Sequence, residues 1–198
     1  MKTEKTFIII KPDGVQRSLI GEIIGRFERI GLKLIAMRMC LPNPEMARKH
    51  YTIDPEWVRK AGQKSIDNYK SKGFVPPSDD PLEIGNKVLL RLEKYLSSGP
   101  VITMVWQGAH AIQIVRKLVG GTEPLSSDTG TIRGDFVLDS YRMSDQDERS
   151  IRNLIHASGS VDEAHKEIDL WFKKDEIIKY KHIQEAILYD VNLDGILE

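Results

Sequence analysis

The order of elements predicted from the sequence indicates an α+β fold of the ferredoxin-like βαββαβ type. This is a four-stranded antiparallel sheet with helices packed on one face, here with a helical insertion added. Three observations lead to this class. Four short apolar runs are typical of strands, amphipathic segments with helical spacing follow the first, third and fourth runs, and an irregular polar segment separates the second run from the third. This order favours the split βαβ arrangement over a doubly wound parallel sheet.

The first forty residues are predicted as a strand, a helix and a second strand. Residues 6–10 are a β-branched and aromatic run that stops where Pro and Gly begin a turn, so the strand carries Lys11 into a loop. Apolar residues then recur at helical spacing between positions 20 and 27, and Gly31 follows as a C-terminal stop. Residues 32–39 form the second predicted strand.

The middle of the chain is predicted as a helical elaboration of this domain. Asn43 and Pro44 are an N-cap and a first-turn proline, and the helix that they begin reaches about Tyr51. The segment that follows is rich in Lys, Asp, Ser and Pro and is predicted to carry small helices, one of them opened by Pro81. This insertion, at about residues 52–98, has few large apolar groups. It is therefore expected to need packing contacts with the parent domain in order to fold.

A strand, a helix, a loop, a strand and a helix complete the prediction. Residues 101–106 are the clearest buried strand, and the helix after them ends at two glycines. Residues 120–135 have loop chemistry throughout, and residues 152–157 predict the fourth strand. Ser160 and Glu163 form a capping box that begins the last helix, along which His165 packs. Residues 1–198 are thus predicted as a single domain, with a second, short and solvated insertion at about residues 140–151.

Composition predicts a globular cytoplasmic protein without a nucleic-acid or membrane partner. The 29 basic and 29 acidic residues cancel, which removes the bulk attraction to nucleic acids and anionic membranes but leaves room for a local anion pocket. Cys40, the single cysteine, cannot form an internal disulfide or a cysteine-based zinc site, which suits a reducing compartment. The first residues are too short an apolar run for a secretory signal, and no run approaches membrane-spanning length.

His156 is the strongest candidate for chemistry. It ends a predicted strand between small residues, which leaves its imidazole accessible, and an imidazole with a pKa of about 6.5 is mostly neutral at pH 7 and available as nucleophile or base. Taken alone, a histidine in this setting is more often a hydrogen-bonded structural residue, and it is the pattern of partner residues that favours a chemical role. His50 and His110 lack a comparable setting.

The sequence contains no ready-made metal or phosphate motif. The histidines do not recur at metal-ligand spacing, and neither the Walker pattern nor G-x-G-x-x-G is present. Any phosphate must therefore be held by separate cations. Lys11, Arg116 and Arg133 each lie near the end of an element beside loop-forming residues, although singly each is more often a solvated surface charge.

Five motifs in order carry a resemblance to a known family. FIIIKPDGVQR, the SGP before VITMVWQG, GGTEP, GTIRGDF and NLIHAS lie between residues 6 and 158 and closely resemble the motifs of nucleoside diphosphate kinases. In that family the histidine of N-x-x-H-[GA]-S is phosphorylated by a nucleoside triphosphate and passes the phosphoryl group to a nucleoside diphosphate. The resemblance therefore implies a ping-pong phosphotransferase whose nucleophile is His156.

The same resemblance implies roles for the other site residues. Lys11 would neutralise phosphate charge, Tyr51 would position phosphate or histidine, and Glu167 would orient the ring nitrogen that does not attack. Ser158 resembles a supporting hydroxyl. The residues that resemble the nucleotide-binding set are Arg116, Thr122 and Arg133 for phosphate and Asn153 for the ribose hydroxyl. Cations and hydroxyls around a fixed nucleophile are the residue types that phosphoryl transfer needs.

The chain departs from the family pattern near the site. Gly159 stands where the motif usually has Asp, which bears on loop rigidity. The insertion at residues 52–98 replaces the hairpin that normally supplies an aromatic ring for base stacking. Trp57 is the best candidate for that ring, Tyr69 and Phe74 are alternatives, and Leu92 would supply only an apolar wall. The insertion is expected to cover the nucleotide cleft.

The resemblance also implies a cofactor and an assembly. Mg²⁺ would be carried by the phosphates of nucleoside di- and triphosphates rather than by protein ligands, and base selectivity would be weak. A homo-oligomer is expected, with a hexamer favoured over a tetramer or dimer and the loop at residues 122–124 resembling an intersubunit loop. The alternative to a kinase is a nucleotide-binding regulatory or assembly protein on the same fold.

Overall fold

One antiparallel sheet organises the computed structural model, which describes residues 3–71 and 73–189. Its strands are β1 (Glu4–Ile10), β2 (Lys33–Cys40), β3 (Val101–Gly108) and β4 (Ile155–Ala157). They lie in the order β2-β3-β1-β4, and every neighbouring pair is antiparallel. This is the predicted ferredoxin-like order.

Helices fill the connections between the strands. The α-helices in the described residues are α1 (Pro12–Gln16), α2 (Ile20–Arg29), α3 (Pro44–Tyr51), α4 (Trp57–Ser71), α5 (Pro81–Leu96), α6 (Ala111–Val119), α7 (Ile132–Phe136), α8 (Tyr141–Gln146), α9 (Val161–Trp171) and α10 (Gln184–Leu188). Short 3₁₀ helices lie at Pro124–Ser126 and Lys174–Glu176. Within residues 3–71 and 73–189, no helix is long and apolar enough to cross a membrane.

Both faces of the sheet are covered, so the expectation that helices pack on one face was wrong. Side chains alternate along a strand, and β1 therefore contributes to two cores. Ile8 and Ile10 belong to the core beneath α2 and α6, whereas Phe7 and Ile9 belong to the core beneath α3, α5 and α9. All four side chains are fully buried, which makes β1 the central support of the molecule.

The segment at residues 52–98 forms two substantial helices, α4 and α5, rather than the small helices predicted. Helix α5 begins at Pro81 as predicted, with the Asp80 carboxylate accepting the Leu82 N–H at 2.9 Å. Leu89 and Leu96 of α5 join the core that contains Phe7. Helix α5 therefore contributes to the packing of the sheet.

Two predicted loops contain helices. In the segment at residues 120–135, α7 begins at Ile132 because the Thr131 hydroxyl accepts the Gly134 N–H at 3.1 Å. In the segment at residues 140–151, α8 begins because the Ser140 hydroxyl accepts the Met143 N–H at 3.2 Å. Single capping hydroxyls in polar sequence begin these short helices, and hydrophobic periodicity cannot detect them.

The last predicted strand and helix also need correction. Strand β4 contains three residues rather than residues 152–157, because Leu154 has a φ of +70° and bends the chain just before it. Helix α9 begins at the predicted place, but the Glu163 carboxylate accepts the N–H of Gly159, at 2.7 Å, rather than closing a capping box on Ser160. His165 is exposed on α9 instead of packing along it.

Candidate active site

His156 lies at the centre of β4, paired with Ile9 of β1. Its side chain is 20% exposed, and its Nε2 lies 2.6 Å from Oε1 of Glu167. Burial, and then the nearby charge of Lys11, lower the pKa of His156 well below its ordinary value. The imidazole is therefore neutral at pH 7, and its Nδ1 is the ring nitrogen not used by Glu167.

Glu167 is a buried carboxylate that α9 places beneath His156. Its second oxygen, Oε2, accepts the Ser158 hydroxyl at 2.6 Å, and Ser158 Oγ in turn accepts the Phe7 N–H at 3.0 Å. Burial raises the pKa of Glu167 above its ordinary value. These bonds tie α9 and the end of β4 to β1, so the orientation of Glu167 is set by contacts with the buried central strand.

The backbone before His156 makes a tight turn. Ile155 N–H donates to the Asn153 carbonyl at 2.7 Å around Leu154, whose φ is +70°. A γ-turn of this kind at a non-glycine residue is strained and needs support from its surroundings. Lys11 N–H supplies part of that support by donating to the Leu154 carbonyl at 2.8 Å.

Arg133 supplies the rest of the support for this turn. Its guanidinium, almost fully buried, donates to the carbonyls of Asn153 at 3.1 Å, Ile155 at 2.6 Å, Gly120 at 3.1 Å and Gly121 at 2.8 Å. Burial lowers the pKa of Arg133 to about 10, so it stays charged at pH 7. A guanidinium has five N–H groups, so these contacts leave one for a ligand.

Lys11 and Asn153 form a buried polar pair beside His156. Lys11 Nζ donates to Asn153 Oδ1 at 2.7 Å and lies 5.1 Å from the centre of the Tyr95 ring. Burial, and then the charge of Arg133, lower the pKa of Lys11 to about 7. Asn153 Nδ2 donates to the Thr122 carbonyl at 2.9 Å, which leaves its second amide N–H for a ligand.

Tyr51 presents a polar atom without a partner. Its hydroxyl is buried and makes no hydrogen bond to the described residues, and burial raises the pKa of Tyr51 so that the group stays protonated. Buried hydroxyls are nearly always paired, so an orphaned one facing a cleft marks a place for a ligand atom. Arg116, in the last turn of α6, is exposed and lines the same cleft.

Apart from the fully buried Ser158, the predicted site residues line one cleft of about 690 Å³. They are Lys11, Tyr51, Trp57, Arg116, Thr122, Arg133, Asn153, His156 and Glu167. Trp57 is half-buried, with its ring centre 5.6 Å from that of Tyr51, and Leu92 also lines the cleft. Tyr69 and Phe74 do not line it, and Phe74 is 60% exposed.

His50 is a site residue that the sequence did not reveal. It lies in the last turn of α3, is fully buried, and its ring centre is 4.5 Å from that of His156 at an angle of 89°. Burial, and then the charge of His156, lower the pKa of His50 to about 3. Its position on a helix 106 residues away in sequence carries no pattern that links it to β4.

The site favours an anion over a cation. His50, His156 and Glu167 bring ligand atoms within 4.8 Å of one another, close enough to hold a metal ion. However, burial lowers the pKa of His156, and the charges of Lys11, Arg133 and Arg116 lower it further against the opposing charge of Glu163, so the cations outweigh the carboxylate in this part of the site. The donor set therefore suits phosphate oxygens rather than a protein-bound divalent cation.

Comparison with known proteins gives one consistent result. The family model described as nucleoside diphosphate kinase matches residues 4–61 and 84–177. A nucleoside diphosphate kinase of Pyrobaculum aerophilum is 45% identical over 183 residues, which cover 90% of this chain and 100% of that protein. One from Borreliella burgdorferi is 39% identical and covers 96% of this chain and 99% of its own length.

Solved structures agree with the sequence matches. The crystal structure of an NDP kinase from Pyrobaculum aerophilum superimposes with a TM-score of 0.85 at 43% identity, covering 90% of this chain and 100% of that chain. A transition-state mimic of the nucleoside diphosphate kinase from Borrelia burgdorferi, with bound vanadate and ADP, gives a TM-score of 0.77 at 38% identity, covering 93% and 96%.

Proposed function

The chain belongs to the nucleoside diphosphate kinase family and is therefore a phosphotransferase acting on nucleotides, and we propose that His156 carries the phosphoryl group between them. One observation carries the assignment of the nucleophile. A neutral imidazole, fixed at one nitrogen by a buried carboxylate, has its other nitrogen left over in a cleft lined by Lys11, Arg116 and Arg133.

The first half-reaction follows from this arrangement. His156 Nδ1 bonds to the γ-phosphorus while the bond from that phosphorus to the bridging oxygen breaks, and the nucleoside diphosphate leaves with the electron pair. Glu167 accepts the Nε2–H at 2.6 Å and so stabilises the positive charge that develops on the phosphorylated ring. A second nucleoside diphosphate reverses these steps and takes the phosphoryl group.

Charge stabilisation is assigned to the residues around His156. Lys11, Arg116 and the remaining N–H of Arg133 would hold the phosphoryl oxygens, and the unpaired Tyr51 hydroxyl would donate to one of them or to the bridging oxygen. Asn153 offers its second amide N–H to the ribose hydroxyl and holds Lys11 in place with Oδ1. Thr122 supports Asn153 through its carbonyl.

Mg²⁺ is proposed to accompany the nucleotide. A hard cation prefers phosphate oxygens and water, and the positive potential of the cleft disfavours a protein cage. Bound in this way, the ion would offset phosphate charge, and the residues named above would hold the phosphates that carry it.

A cytoplasmic homo-oligomer, with a hexamer favoured, is the proposed form of the enzyme. The location rests on the single cysteine, which suits a reducing compartment. The assembly rests on β2, an edge strand whose Met37 and Met39 are 55% and 59% exposed. An apolar edge strand is usually protected by a partner.

Phosphoenzyme formation tests the proposed nucleophile. Incubation with ATP labelled at the γ-phosphate should give an acid-labile phosphoenzyme that GDP discharges. His156→Ala should abolish labelling and exchange while leaving the fold intact, because the side chain adds little to the core. His165→Ala, which removes an exposed histidine of α9, is the matched control and should keep full activity. Retained transfer in His156→Ala would disprove the mechanism.

A further inference from the structure

His50 touches the reacting histidine and its carboxylate partner at the same time. Its ring is perpendicular to that of His156, and its Nδ1 lies 3.7 Å from Glu167 Oε1, the oxygen that bonds to His156. The side chain is only 1% exposed. Rings of Phe7, Tyr51 and Trp171 lie 5.0 to 6.0 Å away and surround it.

The protonation state of His50 follows from its hydrogen bond. Trp171 Nε1–H donates to His50 Nδ1 at 3.4 Å. An indole nitrogen can only donate, so Nδ1 is an acceptor and the ring proton lies on Nε2. The groups that face this ring are Glu167 on α9, His156 on β4 and Lys11 after β1, and burial outweighs their charges in keeping the imidazole neutral.

A neutral ring at this position has two consequences for the site. An acceptor nitrogen and a carboxylate oxygen do not attract each other, so Glu167 Oε1 remains directed at His156 rather than at His50. The perpendicular ring also packs edge-on against one side of His156, which limits how far the imidazole can tilt. Both effects hold Nδ1 in its attacking orientation.

We propose that His50 is a positioning residue for phosphoryl transfer, holding the His156 ring in the attacking orientation and reserving Glu167 for it. The inference rests on the proposed role of His156 as nucleophile. A misplacement of about 1 Å at a reacting group can cost about 100-fold in rate, so loss of this support should appear in the chemical step rather than in nucleotide binding.

Two variants at one position test the inference. His50→Leu keeps apolar volume but lacks the flat ring, and we expect kcat and the rate of phosphoenzyme formation to fall by about 100-fold with little change in KM. His50→Phe restores a ring and should recover most of the rate. Leu89→Ala, which truncates a buried side chain of the same core that does not line the cleft, controls for lost packing.

The outcomes test the positioning role of His50 separately from the nucleophilic role of His156. The positioning role would be overturned if the kcat of His50→Leu were no lower than that of Leu89→Ala. It would also be overturned if His50→Phe recovered none of the lost kcat. If His50→Leu does not fold, the comparison of His50→Asn with His50→Phe replaces it, and equal kcat values would overturn the inference. Mapping the phosphorylated residue in the parent enzyme separates the two roles. A phosphoryl label on a residue other than His156 would refute the proposed function itself.

Discussion

Lys11 is the residue in the cleft whose charge depends most on its surroundings. It is buried beside Arg133, which lowers its pKa to about 7, while Asp13 acts in the opposite direction. Near neutral pH, a fraction of the free enzyme therefore has an uncharged Lys11. An anionic phosphate in the cleft would raise the pKa again, so binding and protonation of Lys11 are coupled.

This coupling predicts a pH dependence of kcat/KM, which reports groups of the free enzyme. A lysine loses its proton as pH rises, so kcat/KM should fall above about pH 7 as the charge that binds phosphate disappears. Lys11→Arg keeps its charge throughout this range, and although its activity will be lower, the decline should vanish. The same alkaline decline in both enzymes would show that another group titrates.

Trp57 is expected to stack on the nucleotide base. It is the half-buried tryptophan of the cleft, whereas Trp106 and Trp171 are buried in the cores, so ADP should change the fluorescence of Trp57 alone. Loss of base stacking costs about 1 to 3 kcal/mol, so Trp57→Ala should raise KM for all nucleotides alike, by roughly 5- to 150-fold. Trp57→Phe keeps a ring and is the control. An unchanged KM in Trp57→Ala would indicate that the base packs instead against the apolar side chains of Val88 and Leu92, which also line the cleft.

At the scale of elements, the cleft depends on how closely α4 approaches α5. Gly62 and Gly85 lie at their contact, where a Cβ on Gly62 would overlap the Pro81 carbonyl and a Cβ on Gly85 would overlap the Val58 carbonyl. Only glycine permits this approach. Helix α5 also meets α8, since Arg91 of α5 lies 3.5 Å from Asp145 of α8, a partly exposed pair that adds little stability by itself.

Gly85→Ala is predicted to move α4 away from α5 and widen the cleft. The overlap is with backbone, which cannot rotate aside, so we expect a loss of about 1 to 3 kcal/mol and a higher KM for nucleotides, because Trp57 moves with α4. Gly21→Ala on α2, where a Cβ meets nothing within 4 Å, should instead stabilise by up to about 1 kcal/mol. Thermal unfolding and steady-state kinetics measure both. Equal behaviour of the two variants would contradict the close-packing argument.

At the scale of the whole molecule, the residues that the structure describes protect only part of the edge of β2. The segment after α9 covers its first half, where Ile178 N–H donates to the Ile35 carbonyl at 2.9 Å and the Tyr180 hydroxyl donates to the Leu34 carbonyl at 2.8 Å. The second half carries exposed Met37 and Met39. Unprotected apolar edges pair with other chains, so this half is the proposed contact between copies.

The double variant Met37→Lys, Met39→Lys is predicted to reduce the mass of the assembly. Charges on an edge strand oppose pairing, so light scattering at micromolar concentration should give a smaller particle than the parent enzyme. Val75→Lys, which places the same charge on a side chain that is 90% exposed in the insertion, should leave the mass unchanged. A monomeric parent enzyme would contradict the proposed oligomer, and an unchanged mass in the double variant would move the interface elsewhere.

The sequence by itself determined the four strands and their order along the chain, the helices α2, α3, α5, α6 and α9, and nine of the residues that line the cleft. These follow from local patterns: hydrophobic period, turn residues at fixed offsets, and motifs such as NLIHAS that keep several site residues within one short segment. Lys11 and Asn153 are 142 residues apart, yet each belongs to its own motif, so both could be named before the sheet brought their side chains within 2.7 Å.

Only the tertiary structure decided which residues outside those motifs join the site and how deeply each site residue is buried. His50 has no local signal, and it becomes part of the site because α3 packs over the face of β1 that carries Phe7. Arg133 resembles a phosphate ligand in sequence, but most of its N–H groups donate to four backbone carbonyls. Those carbonyls belong to chain segments that meet only on folding. Periodicity and motifs describe neighbours along the chain, whereas burial, and with it the pKa of Lys11 and His50, depends on what folding places beside them in space.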